Sequence, residues 1–276
     1  MRLAEPVAGW LPPGRAGIVW LGQAGFWIDT GAHRILIDPY LSDSLARKYA
    51  GKINDHRRMM PPPATVEDLP RPDIVLITHA HTDHMDPDTL GPLSGRFPDL
   101  PFVVPAARLE TARERIGTGA RLVPVDAGER LEPLPGLWLE VTPAAHETLE
   151  TDAAGRHVFL GFSISSGGVR LWHSGDCVPF AGLGGLVRRL RPDVALLPVN
   201  GRDPARLAAG IPGNFTLDEA IALAREAEVR LLLPHHFGMF AFNTCDVADI
   251  DRAAENPEGP RIVRPVAGTW IGIEKD

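Results

Sequence analysis

At 276 residues the chain has the length of one large α/β domain or two small ones, with room for a sizeable core. With 44% hydrophobic and 23% charged residues it reads as a water-soluble globular protein, and a net charge of −7 without a long Lys/Arg block speaks against nucleic acid as a partner. Two cysteines exclude a disulfide framework; no charged-then-apolar leader and no run of about 18 apolar residues is present, so no membrane partner is expected and a cytoplasmic location is the default.

Taken in order, Gly17–Leu21 and Gly25–Asp29 read as strands around the turn Gly22-Gln23-Ala24, and Arg34–Asp38 follows to complete an antiparallel meander. Leu41–Pro70 is irregular and polar, with Arg57-Arg58-Met59-Met60 ahead of three prolines, and a connection of that length is usually functional or mobile. Asp73–Ile77 is an apolar strand, and Asp86-Pro87 starts a helix. Phe102–Val104 is a short buried strand, Ala106–Ile116 a helix, and Arg121–Val141 alternates strands with Pro/Gly turns, ending in the strand Leu137–Val141.

Further strands are expected at Val158–Ser165, Val169–His173, Asp193–Leu197, Arg230–Leu233, Arg261–Val263 and Thr269–Ile273. Helices are expected at Leu183–Leu190 and Leu217–Ala227, the latter capped by Thr216 with Glu219 in the reciprocal position. Arg71-Pro72-Asp73 and Arg191-Pro192-Asp193 enter two similar apolar strands, an internal echo consistent with two copies of one half-fold. No linker is evident, and residues 1–276 read as one domain.

Chemistry concentrates after the strand Asp73–Ile77, where Thr78-His79-Ala80-His81-Thr82-Asp83-His84 brings three imidazoles and a carboxylate together. Residues i and i+2 leaving a strand point to one side, so His79 and His81 can converge on one ion. Asp83 and His84 come later and suit a second ion. Nitrogen and oxygen donors without thiolate favour Zn, Fe or Mn. Two ions need further ligands, and candidates stand at the ends of strand-like runs: His146, Asp176 within Ser174-Gly175-Asp176, and His235-His236 after Pro234. Cys177 reads as a small buried residue.

These motifs resemble the metallo-β-lactamase superfamily, through His79-x-His81-x-Asp83-His84, His146, Asp176 and the Pro234-x-His236 ending, over roughly Ile18 to Trp270. The resemblance implies an α/β fold, an αββα sandwich of two mixed β-sheets flanked by helices. It implies that His79, His81 and His146 hold one metal, that Asp83, His84 and His236 hold a second, and that Asp176 bridges them. His235 then falls one residue off, toward the core or behind the ligands, and His173 is placed to orient the Asp176 loop. The cofactors expected are one or two divalent ions, Zn or Mn with Fe also accepted.

Two such ions lower the pKa of a bridging water and polarise the substrate oxygen, so the expected reaction is hydrolysis by a metal-bound hydroxide. Asp83 has two compatible roles, metal ligand and catalytic proton carrier to the leaving group. The oxygen-reducing di-iron relatives carry a carboxylate in place of the second His of the motif and a flavin domain, whereas this chain has His81 and no room for that domain.

Within the superfamily, Ile18–Gly25, Leu171–Asp176, Gly213-Asn214-Phe215-Thr216 and Pro234–Phe237 resemble L-ascorbate-6-phosphate lactonase and its relatives, as does the long segment with Arg57–Met60. The chain departs from that branch in a shorter segment around residues 147–157 and in carrying His146. The branch implies a lactonase acting on a small sugar-acid or related lactone. A phosphodiesterase of the same superfamily is the alternative, and a metal-binding module without catalysis a third reading. Arg57 and Arg58 beside His56 form either a hydrated surface patch or a recognition arm for an anionic substrate, since guanidinium binds carboxylate or phosphate bidentately. Asn200, Arg202 and Asn214, in loops at strand ends, are the other expected substrate contacts, beside their local role in turns and caps. The partners expected are a small-molecule substrate, anionic if the arginine arm reads it, and a second copy of the chain in a homo-oligomer.

Overall fold

The structure, a computed structural model, describes residues 2–3, 7–9 and 15–274. Its first sheet contains β1 (Arg2–Leu3), β2 (Val7–Ala8), β3 (Ala16–Gly22), β4 (Gly25–Thr30), β5 (Arg34–Ile37), β6 (Ile74–Leu76), β7 (Pro101–Pro105) and β8 (Arg121–Val125). The second contains β9 (Arg130–Leu134), β10 (Leu137–Pro143), β11 (Leu160–Ser166), β12 (Val169–His173), β13 (Val194–Pro198), β14 (Leu231–His235) and β15 (Arg261–Ile262). The last strand, β16 (Thr269–Glu274), returns to the first sheet, whose order is β1-β16-β3-β4-β5-β6-β7-β8 with β2 also on β16. The second runs β15-β14-β13-β12-β11-β10-β9. Each sheet is mixed: β3–β5 and β9–β12 pair antiparallel, while β5–β8 and β12–β15 pair parallel.

The period of two along a strand explains the layering. On β3, Ile18 and Trp20 face a core shared with Leu139, Phe162 and Leu171 of the second sheet, while Val19 and Leu21 face the opposite side. There they meet α2 (Pro87–Arg96) and α3 (Leu109–Ile116), whose Leu90, Leu93, Ala112 and Ile116 cover the first sheet. The outer face of the second sheet is covered by α4 (Leu183–Leu190), α6 (Leu217–Glu226) and α7 (Val247–Ala254). Two short helices, α1 (Ser44–Lys48) and α5 (Pro204–Ala208), interrupt loops. The result is the α/β sandwich of two mixed sheets flanked by helices that the resemblance implies.

The internal echo is structural as well. Asp73 N–H donates to Arg34 O (2.8 Å) beside β6, and Asp193 N–H donates to Arg170 O (2.9 Å) beside β13. Each aspartate thus clamps the start of a central parallel strand to its neighbour. Asp86 and Thr216 cap α2 and α6 as their sequences predict, with the full Thr216/Glu219 capping box formed. The region 106–116 departs from expectation in opening with a 3-10 turn, Ala106–Arg108, before α3 begins. Helices α1, α5 and α7 lie where no helix was expected, although Asp203-Pro204 and Asp246 supply the same cap chemistry as Asp86-Pro87.

Candidate metal centre

The carboxyl ends of β6, β12 and β14, and the loop after β10, meet along one edge of the two sheets. His79, His81 and His146 lie there with ring centroids 4.7 to 5.8 Å apart. Beside them Asp83, His84 and His236 offer ligand atoms all within 4.8 Å of one another. Asp176 stands between the sets: its carboxylate oxygens are 3.2 Å from His236 Nε2, 3.4 Å from His84 Nε2 and 3.8 Å from His146 Nε2. The structure therefore brings together all seven residues that were expected to hold metal.

Buried atoms in this cluster lack partners: His79 Nε2, His84 Nε2 and Asp176 Oδ1 are inaccessible and accept or donate no hydrogen bond among the described residues. Such orphans are costly unless something fills the space between them. The tautomers agree with a cation there. Asp38 accepts from Thr78 N–H, from Thr78 Oγ1–H and from His84 Nδ1–H. The hydroxyl proton being committed, Thr78 Oγ1 accepts from His79 Nδ1–H (3.0 Å). Both imidazoles thus turn a bare Nε2 lone pair inward, the arrangement that orients histidine ligands on a metal. Asp38 itself comes within ligand range of His79 and His84, but with three donors already on it, it supports them from behind.

The electrostatics point the same way. Burial, then neighbouring His84 and His81, push the His79 imidazole well below its usual range, keeping it neutral. His81 stays exposed at the mouth, yet water displaced from its ring and the nearby His146 bring it to about 4. Burial works against charge on Asp176, but His236 and His84 overcome it and hold the carboxyl well below the usual carboxylate range. For His84 burial opposes the proton, and Asp176, Asp38 and Asp83 outweigh it, raising the imidazole well above its usual range. Clustered carboxylates that draw a proton onto an imidazole make a place for positive charge, and a divalent ion satisfies it without the proton.

Two further residues of the site went unread in the sequence. Gln23, fully buried, donates from Nε2 to Asp83 Oδ2 (2.7 Å) and lies 3.1 Å from His236 Nε2, while its backbone carbonyl accepts from His236 N–H. Asp38 is the other. Of the six non-glycine residues with positive φ among those described, four border the site: Gln23 (49°), Asp38 (42°), Glu147 (74°) and His236 (61°). Backbone strain of this kind persists where surrounding structure over-determines it, and it collects at functional sites. Gly175 is needed for a related reason: at φ 64°, a Cβ would lie 2.3 Å from Leu160 O.

His173 lies behind the cluster, donating from Nε2 to Ala24 O and accepting at Nδ1 from Gly175 N–H, so it fixes the turn that presents Asp176. His235 points into the core, stacked on His173 at 4.7 Å, with burial and then His173 driving it well below the usual imidazole range. Cys177 is fully buried, and burial pushes its thiol up to about 12, so it is no nucleophile near neutrality.

A cavity of about 350 Å³ opens over Asp83, His81, His146, Asp176 and His236. Its other wall comes from the irregular segment and a C-terminal loop, with Tyr49, His56, Phe240 and Phe242, and from Ile211-Pro212 on the far side. Of the expected substrate contacts, Arg57, Arg58, Asn200, Arg202 and Asn214 are absent from its lining. Arg57 is exposed and paired with Asp55. Arg58 donates from Nε and Nη1 to the carbonyls of Met60, Tyr40 and Ser42, bracing the segment. Arg202 pairs with Glu219 and donates to Asn214 O. Asn214 donates to Asn200, which donates to Asn243, so the two buried amides support Asn243 at the cavity wall.

Comparison with known proteins agrees with this geometry. Residues 33–237 match the beta-lactamase superfamily domain, and the chain belongs to that superfamily, a class of α/β hydrolase folds with metal-binding His/Asp clusters. It is 30% identical over 267 residues to a UPF0173 metal-dependent hydrolase from Methanoculleus marisnigri, an alignment covering 94% of this chain and 98% of the relative. The chain is accordingly a metal-dependent hydrolase of the UPF0173 family. Among solved structures, a possible metal-dependent hydrolase from Veillonella parvula superposes with a TM-score of 0.76 at 17% identity, covering 94% of this chain and 100% of that one. Igni18, a metallo hydrolase from Ignicoccus hospitalis, superposes with a TM-score of 0.70 at 20% identity, covering 95% and 99%. Both share the fold. Among the described residues no helix is long and apolar enough to cross a membrane.

Proposed function

We propose that this hydrolase opens a small lactone or related ester, with His79, His81 and His146 holding one divalent ion, Asp83, His84 and His236 a second, and Asp176 bridging them. Zn and Mn suit these nitrogen and oxygen donors, and Fe is accepted as well. When bound, such ions activate water and polarise the substrate oxygen near neutral pH. The chain's own residues do the rest. Asp38 and Thr78 hold the imidazoles in the ligating tautomer. Asp83 lines the cavity with its Oδ2 steadied by Gln23, where it can take a proton and hand it to the leaving group.

The observation that carries the ester reading is the cavity wall. At about 350 Å³ it is near the lower end for small-molecule sites, and facing the metal cluster its wall sets Tyr49, Phe240, Phe242, Ile211 and Pro212 among a few polar side chains. Of its two cations, Arg115 donates to the carbonyls of Ala80 and Met85, and Lys48 stands exposed at the rim. A phosphodiester would want a guanidinium turned inward, and the wall supplies no uncommitted one, so an uncharged scissile group is favoured. The partner is thus a small molecule. The test is elemental analysis of protein purified without added metal, then turnover of δ-lactones against a phosphodiester such as bis(p-nitrophenyl) phosphate. Lactone hydrolysis abolished by a chelator and restored by Zn or Mn is expected; cleavage of the phosphodiester alone would overturn the reading.

A further inference from the structure

Among the polar side chains of the cavity's far wall is His56, a residue outside the metal cluster and set in a segment without regular structure. Its imidazole is held with unusual care for a loop side chain. Tyr49 stacks on it at 4.2 Å and 18°, and Phe240 and Phe242 meet it edge-on at 5.1 Å and 4.7 Å. The segment carrying it is latched: Met59 N–H donates to Met239 O at 2.8 Å, and Arg58 reaches the carbonyls of Tyr40 and Ser42. His56 Nδ1 lies 2.8 Å from Asn54 O, and a carbonyl only accepts, so the ring proton sits on Nδ1. A neutral imidazole then presents Nε2 as a bare acceptor, and no hydrogen bond among the described residues uses it.

Packing alone needs none of this. A phenyl ring would stack on Tyr49 and meet Phe242 edge-on as well, without bringing a nitrogen that has to be hydrated or paired. Two other polar groups of the wall are already committed: Arg115 to the carbonyls of Ala80 and Met85, and Asn243 Oδ1 to Asn200 and Arg206. We propose that His56 is a specificity residue, its Nε2 accepting a hydrogen bond from a substrate hydroxyl, so that the substrates are hydroxyl-bearing lactones or esters rather than purely apolar ones. This rests on reading the cavity as the site of a small-ester hydrolase. The reacting carbonyl faces the metal cluster while a hydroxylated part of the molecule faces His56.

The test compares δ-gluconolactone with δ-valerolactone, taking the ratio of their kcat/KM values in the metal-loaded wild type and in His56→Phe. Dividing one ratio by the other cancels the intrinsic reactivities of the two lactones. Loss of a single hydrogen bond to a neutral group predicts a fall of about tenfold in the preference for the hydroxylated substrate, expressed mainly in KM. His56→Gln, which keeps an acceptor, should retain part of it. A merely structural role would slow both lactones alike and leave the ratio where it was; that result would overturn the proposal. If the wild type hydrolyses neither lactone, the ester reading fails separately. The same comparison is then made on binding, by calorimetry of gluconate and valerate with metal-loaded protein. A similar collapse in His56→Phe supports the hydroxyl contact, and an unchanged ratio overturns it.

Discussion

The floor of the cavity and its far wall are built on opposite principles. On the floor, ligand side chains leave the ends of sheet strands or the turns just beyond them, and hydrogen bonds with Asp38, Thr78, His173 and Gln23 hold the cluster from behind. The wall is drawn from the connection after β5 and the loop after β14, braced by Arg58 and by ring stacking. Rigid strand ends carry the chemistry and irregular chain carries the recognition, so the wall can vary without disturbing the floor. Changes on each side should therefore separate: floor substitutions alter metal content, wall substitutions alter substrate preference.

The largest effect should come from the residue shared by both ligand sets. Asp176→Ala removes the carboxylate within 3.8 Å of His84, His146 and His236 and leaves clustered imidazoles without their common counter-charge. We expect bound metal, measured by elemental analysis, to fall by at least one ion per chain, and turnover to drop by about a thousandfold or more. A full metal complement in this variant would break the assignment of Asp176 as the bridge. Asp38→Asn should be next. An amide in place of that carboxylate keeps one acceptor oxygen and puts a donor against either Thr78 N–H or His84 Nδ1–H. Weakening of metal affinity by about 10- to 100-fold is expected, read by competition with a chromogenic chelator.

The same division explains what could be read from the sequence. His79, His81, Asp83 and His84 were legible because an apolar strand and a dense donor cluster are both local patterns. His146, Asp176 and His236 are separated from them by long stretches of chain; their places at the ends of strand-like runs made them candidates, and the likeness to a known fold chose His236 over His235 and assigned each to an ion. Asp38 could have been found by the same rule as the ligands, since it is an acid directly after a strand, β5, that pairs with β6. Gln23 had no such signal: its role depends on a turn with φ 49° that aims its amide at Asp83. In the irregular segment His56 lines the cavity, while the expected Arg57 and Arg58 do not. Charge drew attention to Arg57 and Arg58, whereas which residue faces the cavity is decided by contacts with Tyr40, Met239 and Phe240 that lie far off in sequence.

Arg58→Ala tests the wall from the other direction. The guanidinium links Met60, Tyr40 and Ser42 through their carbonyls, and removing it leaves those acceptors to water. Hydrogen bonds to a charged donor are worth about 2 kcal/mol, so amide exchange across residues 54–60 should quicken by about tenfold or more, while metal content stays at the wild-type value. Loss of metal in this variant would show that wall and floor are coupled after all.

The smallest expected effect sharpens the chemistry of the floor itself. Cys177 is the neighbour of Asp176, and proximity alone would make it a candidate nucleophile or ligand. Burial, however, pushes its thiol up to about 12, and its Sγ–H donates to Val178 O. A raised pKa means that the thiolate is scarce at every pH below it: at pH 8 about one molecule in ten thousand would carry the reactive form. Iodoacetamide at pH 8 should therefore leave Cys177 unlabelled in the folded, metal-loaded protein, as read by peptide mass spectrometry, and turnover should be unaffected. Rapid labelling of Cys177 with parallel loss of turnover would instead place a nucleophile beside the bridge, and the division between a metal floor and an organic wall would have to be redrawn.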